Sequence, residues 1–562
     1  MDFLAFHYDR SFVLEALRRG EIDYLEHVSE AAEADLFRHL FRRQVVQRLA
    51  QSYPTPRKKE EVPVWIYLAS ELSLKLHGAQ SYHAFPRLLR SGGLIEALGP
   101  ELGGRKTWHP ETGDVTLACP GFNDKNDYDR QTPCDQDFLR KFARDTDVDR
   151  LHAWFNREVP RCLRSLGLFD PEGLFIGDAS YLFVPDNEHY EQSDLLWFDE
   201  HNHPVEPSEV DLRDKRYQQH RCYKLVSLLH INRKLDFFFV VAARVVAGRR
   251  HECPILYELV EEVVRAVHTG FIKVLIVDRG LIDGERIGRL KQEFAIDTIV
   301  PVRTNMDLYA DAIGLTRMRD FAWEPYVPPP PAPPVEKPLR PARVQKREAK
   351  RQQTLAQRKA QAAATTASTS SPTAPALVPP QTLLGRAGGL LSWTQCPVPL
   401  TAVVNRERDQ QGQTKDWVLV CTSDRFSAAQ IRSTYELRPA IEERHRQYKC
   451  FWDLTRMHSC AFSLVVNQAL MVLLAYTLVQ VHLLLRQRQQ LNRGIRERTW
   501  QLLSPTLEVV AVYYRQRFCL FTLAEFSRIL LEIAEPARRK LRDKLKQIER
   551  DQYSLLENAR AP

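Results

Sequence analysis

Apolar residues in this chain fall into runs of three kinds, and each predicts a different element. Short, nearly continuous runs sit in the middle: Leu174-Phe-Ile-Gly, Tyr223-Lys-Leu-Val-Ser-Leu-Leu, Leu235-Asp-Phe-Phe-Phe-Val-Val-Ala-Ala and Phe271-Ile-Lys-Val-Leu-Ile-Val. Runs rich in β-branched and aromatic residues predict buried strands. Spacing of three and four predicts helices over 254–268, which opens on Pro254, and over 283–293, with a further strand over 297–302. Strand, strand, strand, helix, strand, helix, strand is the order of a mixed α/β sheet. The same helical spacing covers Ala31–Leu49, Val64–Leu76 and Ser81–Leu89, so residues 1–165 read as a helical N-terminal domain. A third kind of run, Ala461 to Leu485, is long enough to cross a bilayer. It carries Asn467, Gln468, Gln480 and His482 and has no second span beside it, so a helix buried against the sheet is expected, with no membrane contact.

Polar sequence breaks this pattern once. Residues 325–341 are dense in proline, and 337–359 hold nine Lys or Arg against one acid, Glu348. An Ala/Thr/Ser stretch follows that cannot bury a core. Residues 326–392 therefore read as a disordered or partly polyproline linker, either a solubilising spacer or a sequence-independent contact to DNA phosphates. Beyond it, Thr401-Ala-Val-Val-Asn and Trp417-Val-Leu-Val-Cys-Thr flank a polar turn and predict a β-hairpin insertion over 393–426. The remaining boundaries are a first core segment at 170–325, a second at 427–490 and a helical C-terminal region at 491–562. The stretch Arg538–Arg550, with seven Lys or Arg and two acids, reads as a dimer contact, a DNA contact or an exposed face.

Two predicted strands end in an acid: Asp178 closes Leu174-Phe-Ile-Gly-Asp, and Asp278 closes Val-Leu-Ile-Val-Asp before Arg279-Gly280. Open α/β sheets place groups in a crevice at such strand ends. An aspartate there is also an ordinary cap or turn former. Further on, Tyr435, Arg438, Glu442 and Lys449 are spaced three, four and seven apart, which returns to one face of a helix. Pro439 either kinks that helix or starts a new one with Arg438 just outside it. Glu443 points about 100° away from the stripe. Asp178, Asp278 and Glu442 are hard oxygen ligands of the kind Mg²⁺ or Mn²⁺ prefers. Held together, they need cations between them, and two metal ions would serve an in-line phosphoryl displacement. Arg438 suits bidentate phosphate contact and Lys449 a point charge, while Tyr435 either meets phosphate or only packs. The Asp199-Glu-His201-Asn-His203 stretch and His458 lack a second ligand pair at zinc spacing.

These residues resemble the DDE transposases of bacterial insertion sequences, in particular the group with the Tyr-Arg-Glu-Lys signature Y-x2-R-x3-E-x6-K. All four positions match, with Asp178 and Asp278 as the first two acids and Glu442 as the third. The resemblance covers roughly residues 170–480. It implies an RNase H-like catalytic core with a β-rich insertion, two Mg²⁺ ions (Mn²⁺ being possible), and strand cleavage at terminal inverted repeats with transfer to target DNA. It also implies a homodimer in a synaptic complex, and a DNA-end-binding role for the N-terminal region. The long Pro/Ala/Ser segment departs from a compact insertion. No helix-turn-helix is specific enough to name base-reading residues; Arg87, Arg90, Arg105 and Lys106 are basic candidates, and solvated surface charge would explain any one of them.

Composition is compatible with these expectations. The 562 residues are 44% hydrophobic and 27% charged, as in a soluble globular chain of three or four units. A net charge of +8 suits a polyanionic partner without requiring one. Ten cysteines without paired CxxC spacing, and no recognisable signal peptide, lead to an expectation of a reducing, cytoplasmic, nucleoid-associated setting. Two other readings compete: a transposase-derived DNA-binding protein that has lost its chemistry, and a metal-dependent nuclease without strand transfer.

Overall fold

The computed structural model describes residues 4–29, 32–60, 62–78, 81–84, 105–108, 115–118, 134–329, 381–486 and 508–558, apart from 209, 210, 212, 213, 215, 234–236, 410, 411 and 458. Arg87, Arg90, His458 and the basic run 337–359 lie outside these residues. The described chain forms two compact units, one of 1–281, 292–296 and 438–562, the other of 282–291 and 297–437.

The larger unit is built on two helices, Val64–Leu76 (α1) and Val148–Ser165 (α2), and on consecutive strands β1 (Leu174–Val184), β2 (Asp194–Phe198), β3 (Gln218–Asn232), β4 (Phe237–Ala247) and β5 (Val274–Val277). β3 runs antiparallel to β1, β2 and β4, while β5 is parallel to β1. A parallel pair needs a crossover, and helix α3 (Glu252–Val267) supplies it between β4 and β5. The predicted strands and the crossover helix are therefore present, shifted by a few residues at their ends.

Side chains from α2 cover part of the exposed backbone of β4. Asn156 Oδ1 accepts from the Ala243 N–H at 2.8 Å and His152 Nε2 from the Val245 N–H at 3.1 Å. Unpaired strand groups are otherwise open to water or to another chain. On α3, Leu256 presses on Gly177, where an added Cβ would lie 2.5 Å from the leucine's Cδ2. Glycine is thus required one residue before Asp178 so that helix and strand can approach closely.

The apolar run at 461–485 is one helix, Phe462–Leu485, long and apolar enough to cross a membrane by length and composition. Within this fold 94% of its most apolar window is buried by protein, against β4, α1 and α2. Two of its polar residues are matched, Asn467 Oδ1 accepting from Tyr67 Oη at 3.0 Å and Gln468 Nε2 donating to the Arg456 carbonyl at 2.9 Å, whereas the buried Gln480 amide has no hydrogen-bond partner among the described residues.

The smaller unit contains helix α4 in part (Gly284–Phe294), then strands β6 (Asp297–Pro301), β7 (Gln381–Leu390), β8 (Leu400–Arg408) and β9 (Thr414–Cys421), and helix α5 (Ala428–Tyr435). β8 and β9 form the expected hairpin, with Arg408 opposite Thr414. β7 corrects the linker boundary. Residues 381–390 are a strand paired to β8, because Leu384 and Ala387 face the insertion's core, whereas 330–380 lie outside the described residues.

The expectation of helical end regions holds in part, with helices such as Ala32–Arg42 and Leu523–Glu532, and is corrected in part. Leu4–Tyr8, Tyr24–Ser29, Arg105–Trp108 and Val115–Ala118 are strands, and they join Glu508–Tyr514 and Arg517–Thr522 in a six-stranded terminal sheet. His7 pairs with Arg517 and Glu26 with Ala511. Val13, Leu17, Val510, Val512, Phe521 and Ile529 form the core of this sheet. Runs of four to seven residues carry little periodicity, and beside two local hairpins the sheet is closed by pairings such as His7 with Arg517 and Glu26 with Ala511, which no local pattern reveals.

Candidate active site

Register alone brings the first two acids together. In the parallel pair of β1 and β5, Gly177 lies opposite Val277, so Asp278 leaves the end of β5 beside Asp178. Asp178 does not close its strand as expected but lies within β1, opposite Ser227, because the pairing with β3 runs on to Val184. Asp178 stays buried, with its Oδ1 accepting from the Ala179 N–H at 2.9 Å, while Asp278 accepts from the Arg279 N–H.

The third acid arrives on helix α6 (Pro439–Phe451). Proline occupies the first helical position, where its missing N–H costs nothing, and Arg438 is the residue just outside. Helix α7 (Phe462–Leu485) steadies α6: Tyr476 Oη donates to Gln447 Oε1 at 3.0 Å, and Arg444 Nη1 donates to Tyr476 Oη at 3.1 Å. Arg438 Nη2 lies 3.0 Å from Asp278 Oδ2 and 3.5 Å from Asp178 Oδ2, and Arg438 Nη1 pairs with Glu442 Oε1. Three carboxylates thus share one guanidinium. Asp178, Asp278, Arg438, Glu442, His445, Lys449 and Cys450 line an open cleft of about 590 Å³.

Lys449 belongs to the same stripe and donates to Ser180 Oγ at 2.6 Å. Tyr435 does not. It ends α5, in the smaller unit, where its ring centroid is 6.1 Å from that of Trp417. The helix stops at Glu436 and a new one begins at Pro439, so the expected single stripe holds from Arg438 to Lys449 only. Glu443 turns away to Arg446, at 2.6 Å, and to Gln447.

Sequence reasoning passed over His445, Ser180 and Ser227. His445 Nε2 is 2.9 Å from Ser227 Oγ, and its Nδ1 is 4.0 Å from Asp178 Oδ2. A signal was present: His445 falls three residues after Glu442 and four before Lys449, on the same face, and Ser180 falls two after Asp178 on the same side of the strand. Ser227 carries no local signal; only the register that sets it opposite Asp178 reveals it.

Burial pushes the Asp178 carboxyl up to about 7, with Asp278 and Glu442 adding to the rise and Arg438 and the Ala179 N–H opposing it. Burial likewise lowers His445 to about 3, helped by the Lys449 and Arg438 cations, so this imidazole is neutral. Lys449 is lowered by its own burial, against the pull of Asp178. The carboxylates are hard oxygen donors of the type that suits Mg²⁺ or Mn²⁺. As they stand, they are turned onto the Arg438 fork; among the described residues no group of three or more His, Cys, Asp or Glu side chains is spaced as a ready-made metal cage. In donor chemistry the site fits a divalent cation, with Arg438 supplying the positive charge in this arrangement.

A family model for the transposase DDE domain matches residues 191–478, just over half of the chain. The chain belongs to the DDE transposase family. Asp278, Arg438, Glu442 and Lys449 fall inside the match, and Asp178 precedes it. No curated protein matches the chain. The mixed sheet and its crossover helix accord with the RNase H-like domain of such transposases.

Proposed function

We propose that this transposase belongs to the Tyr-Arg-Glu-Lys group and cuts DNA at the terminal inverted repeats of an insertion sequence, then joins the freed ends to target DNA. The convergence of Asp178, Asp278 and Glu442 on one guanidinium nitrogen pair, beside Lys449, carries this reading. Asp178, Asp278 and Glu442 would hold two Mg²⁺ ions, with Mn²⁺ able to replace them. Bound there, the ions supply Lewis-acid activation of the attacking oxygen and charge stabilisation of the leaving one.

The protein's own groups do the positioning. Once its fork turns from the carboxylates to the scissile phosphate, Arg438 offers two parallel donors to the non-bridging oxygens. Lys449, held in line by Ser180, adds a point charge. Neutral His445, anchored on Ser227, backs Asp178 without adding charge. In cleavage, a water oxygen bonds to phosphorus and the bond to the 3′-oxygen breaks, leaving a 3′-hydroxyl and a 5′-phosphate. In transfer, that 3′-oxygen attacks a target phosphorus and displaces its 3′-oxygen. A homodimer would bring two ends together in a synaptic complex, on DNA at the cytoplasmic nucleoid.

The test is incubation of the protein with duplex carrying the element's own terminal sequence and Mg²⁺, beside Asp278→Asn. Cut and joined strands from the parent alone support the reading. Cut ends without joined product indicate a nuclease. Binding without cutting by both proteins indicates an inactive DNA-binding descendant.

A further inference from the structure

The terminal sheet carries a helix, α8 (Glu535–Asn558), that lies outside the family match. Its inner side is apolar: Ala537, Leu541 and Ile548 are buried, and Leu541 and Leu545 pack on the core shared with Val13, Leu17 and Phe521. Contact at its start is close. A Cβ on Gly20, which has φ +73°, would lie 2.2 Å from the Ala537 carbonyl oxygen, so the turn that follows the helix Arg10–Arg18 packs directly on the start of α8.

Fixing the inner face fixes the outer one. At about 100° per residue, Arg539, Arg542, Lys546 and Arg550 lie within roughly 80° of arc on the side opposite Leu541 and Ile548. All four are exposed. Asp543 and Glu549 sit at the margins of this arc rather than within it. The neighbouring cations have structural uses: Arg538 donates to the carbonyls of Leu530, Leu531 and Ile533, and Lys540 lies in the field of Glu21. By contrast, the four cations of the stripe make no ion pair among the described residues. The stripe is about 16 Å long at 1.5 Å per residue. Over that length duplex DNA offers one negative charge per ~1.7 Å.

We infer that the outward face of α8 is a docking surface for the phosphate backbone of duplex DNA, through Arg539, Arg542, Lys546 and Arg550. This rests on the reading of the protein as a DNA enzyme and places a second, sequence-independent contact on the terminal sheet, away from the acids. Such a surface holds the enzyme on DNA by counterion release rather than by reading bases.

The experiment uses the full-length protein and a short random-sequence duplex, with binding followed by anisotropy over a salt series. Three proteins are compared: the parent; a variant carrying Arg539→Gln, Arg542→Gln, Lys546→Gln and Arg550→Gln; and a charge-keeping variant carrying Arg539→Lys, Arg542→Lys and Arg550→Lys. For the glutamine variant the slope of log K against log salt becomes shallower by about 3 to 4, from roughly 0.9 per phosphate contact. The lysine variant keeps the parent's slope, and melting temperatures of all three agree. An unchanged slope in the glutamine variant overturns the proposal, as does equal loss in the lysine variant or a parent that does not bind random duplex. A change confined to self-association in sedimentation also overturns it and makes the partner a second copy. Mg²⁺-dependent nicking of plasmid by the parent is scored separately; its failure sinks the catalytic reading and leaves the slope comparison standing.

Discussion

Charge is handled in opposite ways by the catalytic sheet and the terminal sheet. Within β1, at the end of β5 and on α6, three acids share one largely buried arginine; Asp178 is buried, while Asp278 and Glu442 keep 41% and 54% of their side chains open to the cleft. On the terminal sheet, charges face outward; Arg517 meets Asp9 at 2.6 Å with both side chains substantially exposed. Taking a charge out of water is costly unless a partner offsets it, whereas an exposed pair gains little because solvent already satisfies it. The cluster around Asp178 and Arg438 is therefore where a single substitution has a large, specific effect. The outward charges act in number or hardly at all.

The largest effect that would sharpen this contrast is on chemistry. Asp278→Asn, or Glu442→Gln, is expected to lower strand cleavage by about 10³-fold or more while the melting temperature stays near the parent's, since a metal-holding carboxylate has no substitute. Single-turnover cleavage of end-sequence duplex measures it. Cleavage within tenfold of the parent would remove the acids from the mechanism.

Arg438→Gln comes next. Without Mg²⁺ it leaves three carboxylates without their shared partner, so the variant should lose about 2 kcal/mol in denaturant titration. Added Mg²⁺ should then raise its melting temperature more than the parent's. An equal shift in both proteins would show that Arg438 does not offset the acids' charge.

Gly177→Ala probes the packing beneath the acids. Forcing a methyl against Leu256 is expected to cost about 1–3 kcal/mol by urea titration. Leu256→Val in the same chain should recover part of that loss. No recovery would show that the close approach of α3 to β1 is not the cause.

Acid stability separates the sheets by a different route. His152 and His230 accept backbone N–H bonds through Nε2, from Val245 and Asp170, and burial lowers each to about 3. Unfolded, each takes up a proton near pH 6.5. Their contribution is thus fully present above pH 6.5 and is lost as pH falls toward 3, at a limiting rate of about 1.4 kcal/mol per pH unit for each histidine. Urea midpoints at pH 7, 6 and 5 measure this slope, and His152→Gln with His230→Gln should flatten it. A slope that survives both substitutions would place the acid sensitivity elsewhere.

The smallest effect is expected from Arg517→Met, which removes the exposed pair with Asp9 and should change stability by less than about 1 kcal/mol. A loss of several kcal/mol would erase the distinction between the two sheets.

The two regions also differ in how far the sequence discloses them. Asp178 and Asp278 follow runs whose apolar character is local, Leu174–Gly177 and Phe271–Val277, and β1 to β5 follow one another within about a hundred residues. Each run shows its strand character locally, so the order of elements along the chain was legible, whereas the pairing of β1 with β3 and β5 was not. The stripe from Arg438 to Lys449 was legible too, and of the two readings Pro439 allowed, a kinked helix or a new one, the fold takes the second, which leaves Tyr435 on the preceding helix. Ser227 could not be found, since its role depends on register across an antiparallel pair. The terminal strands were missed for the same reason in stronger form. Leu4-Ala-Phe-His-Tyr has no pattern of its own, and becomes a strand because Arg517 and Phe518 lie beside it.

That pairing has a consequence in time. During synthesis, His7 emerges from the ribosome some 510 residues before Arg517, its partner in the sheet. At about 5–20 residues per second, the first strand waits roughly half a minute to two minutes before the strand on this edge exists, although Arg105–Trp108 can pair with its other edge much earlier. The catalytic strands, by contrast, can pair while the chain is still growing. The last structure to close is then the terminal sheet, and a ribosome that stalls before residue 517 releases a chain whose catalytic strands are present and whose first strand, joined to Arg105–Trp108 on one edge, stays open on the other.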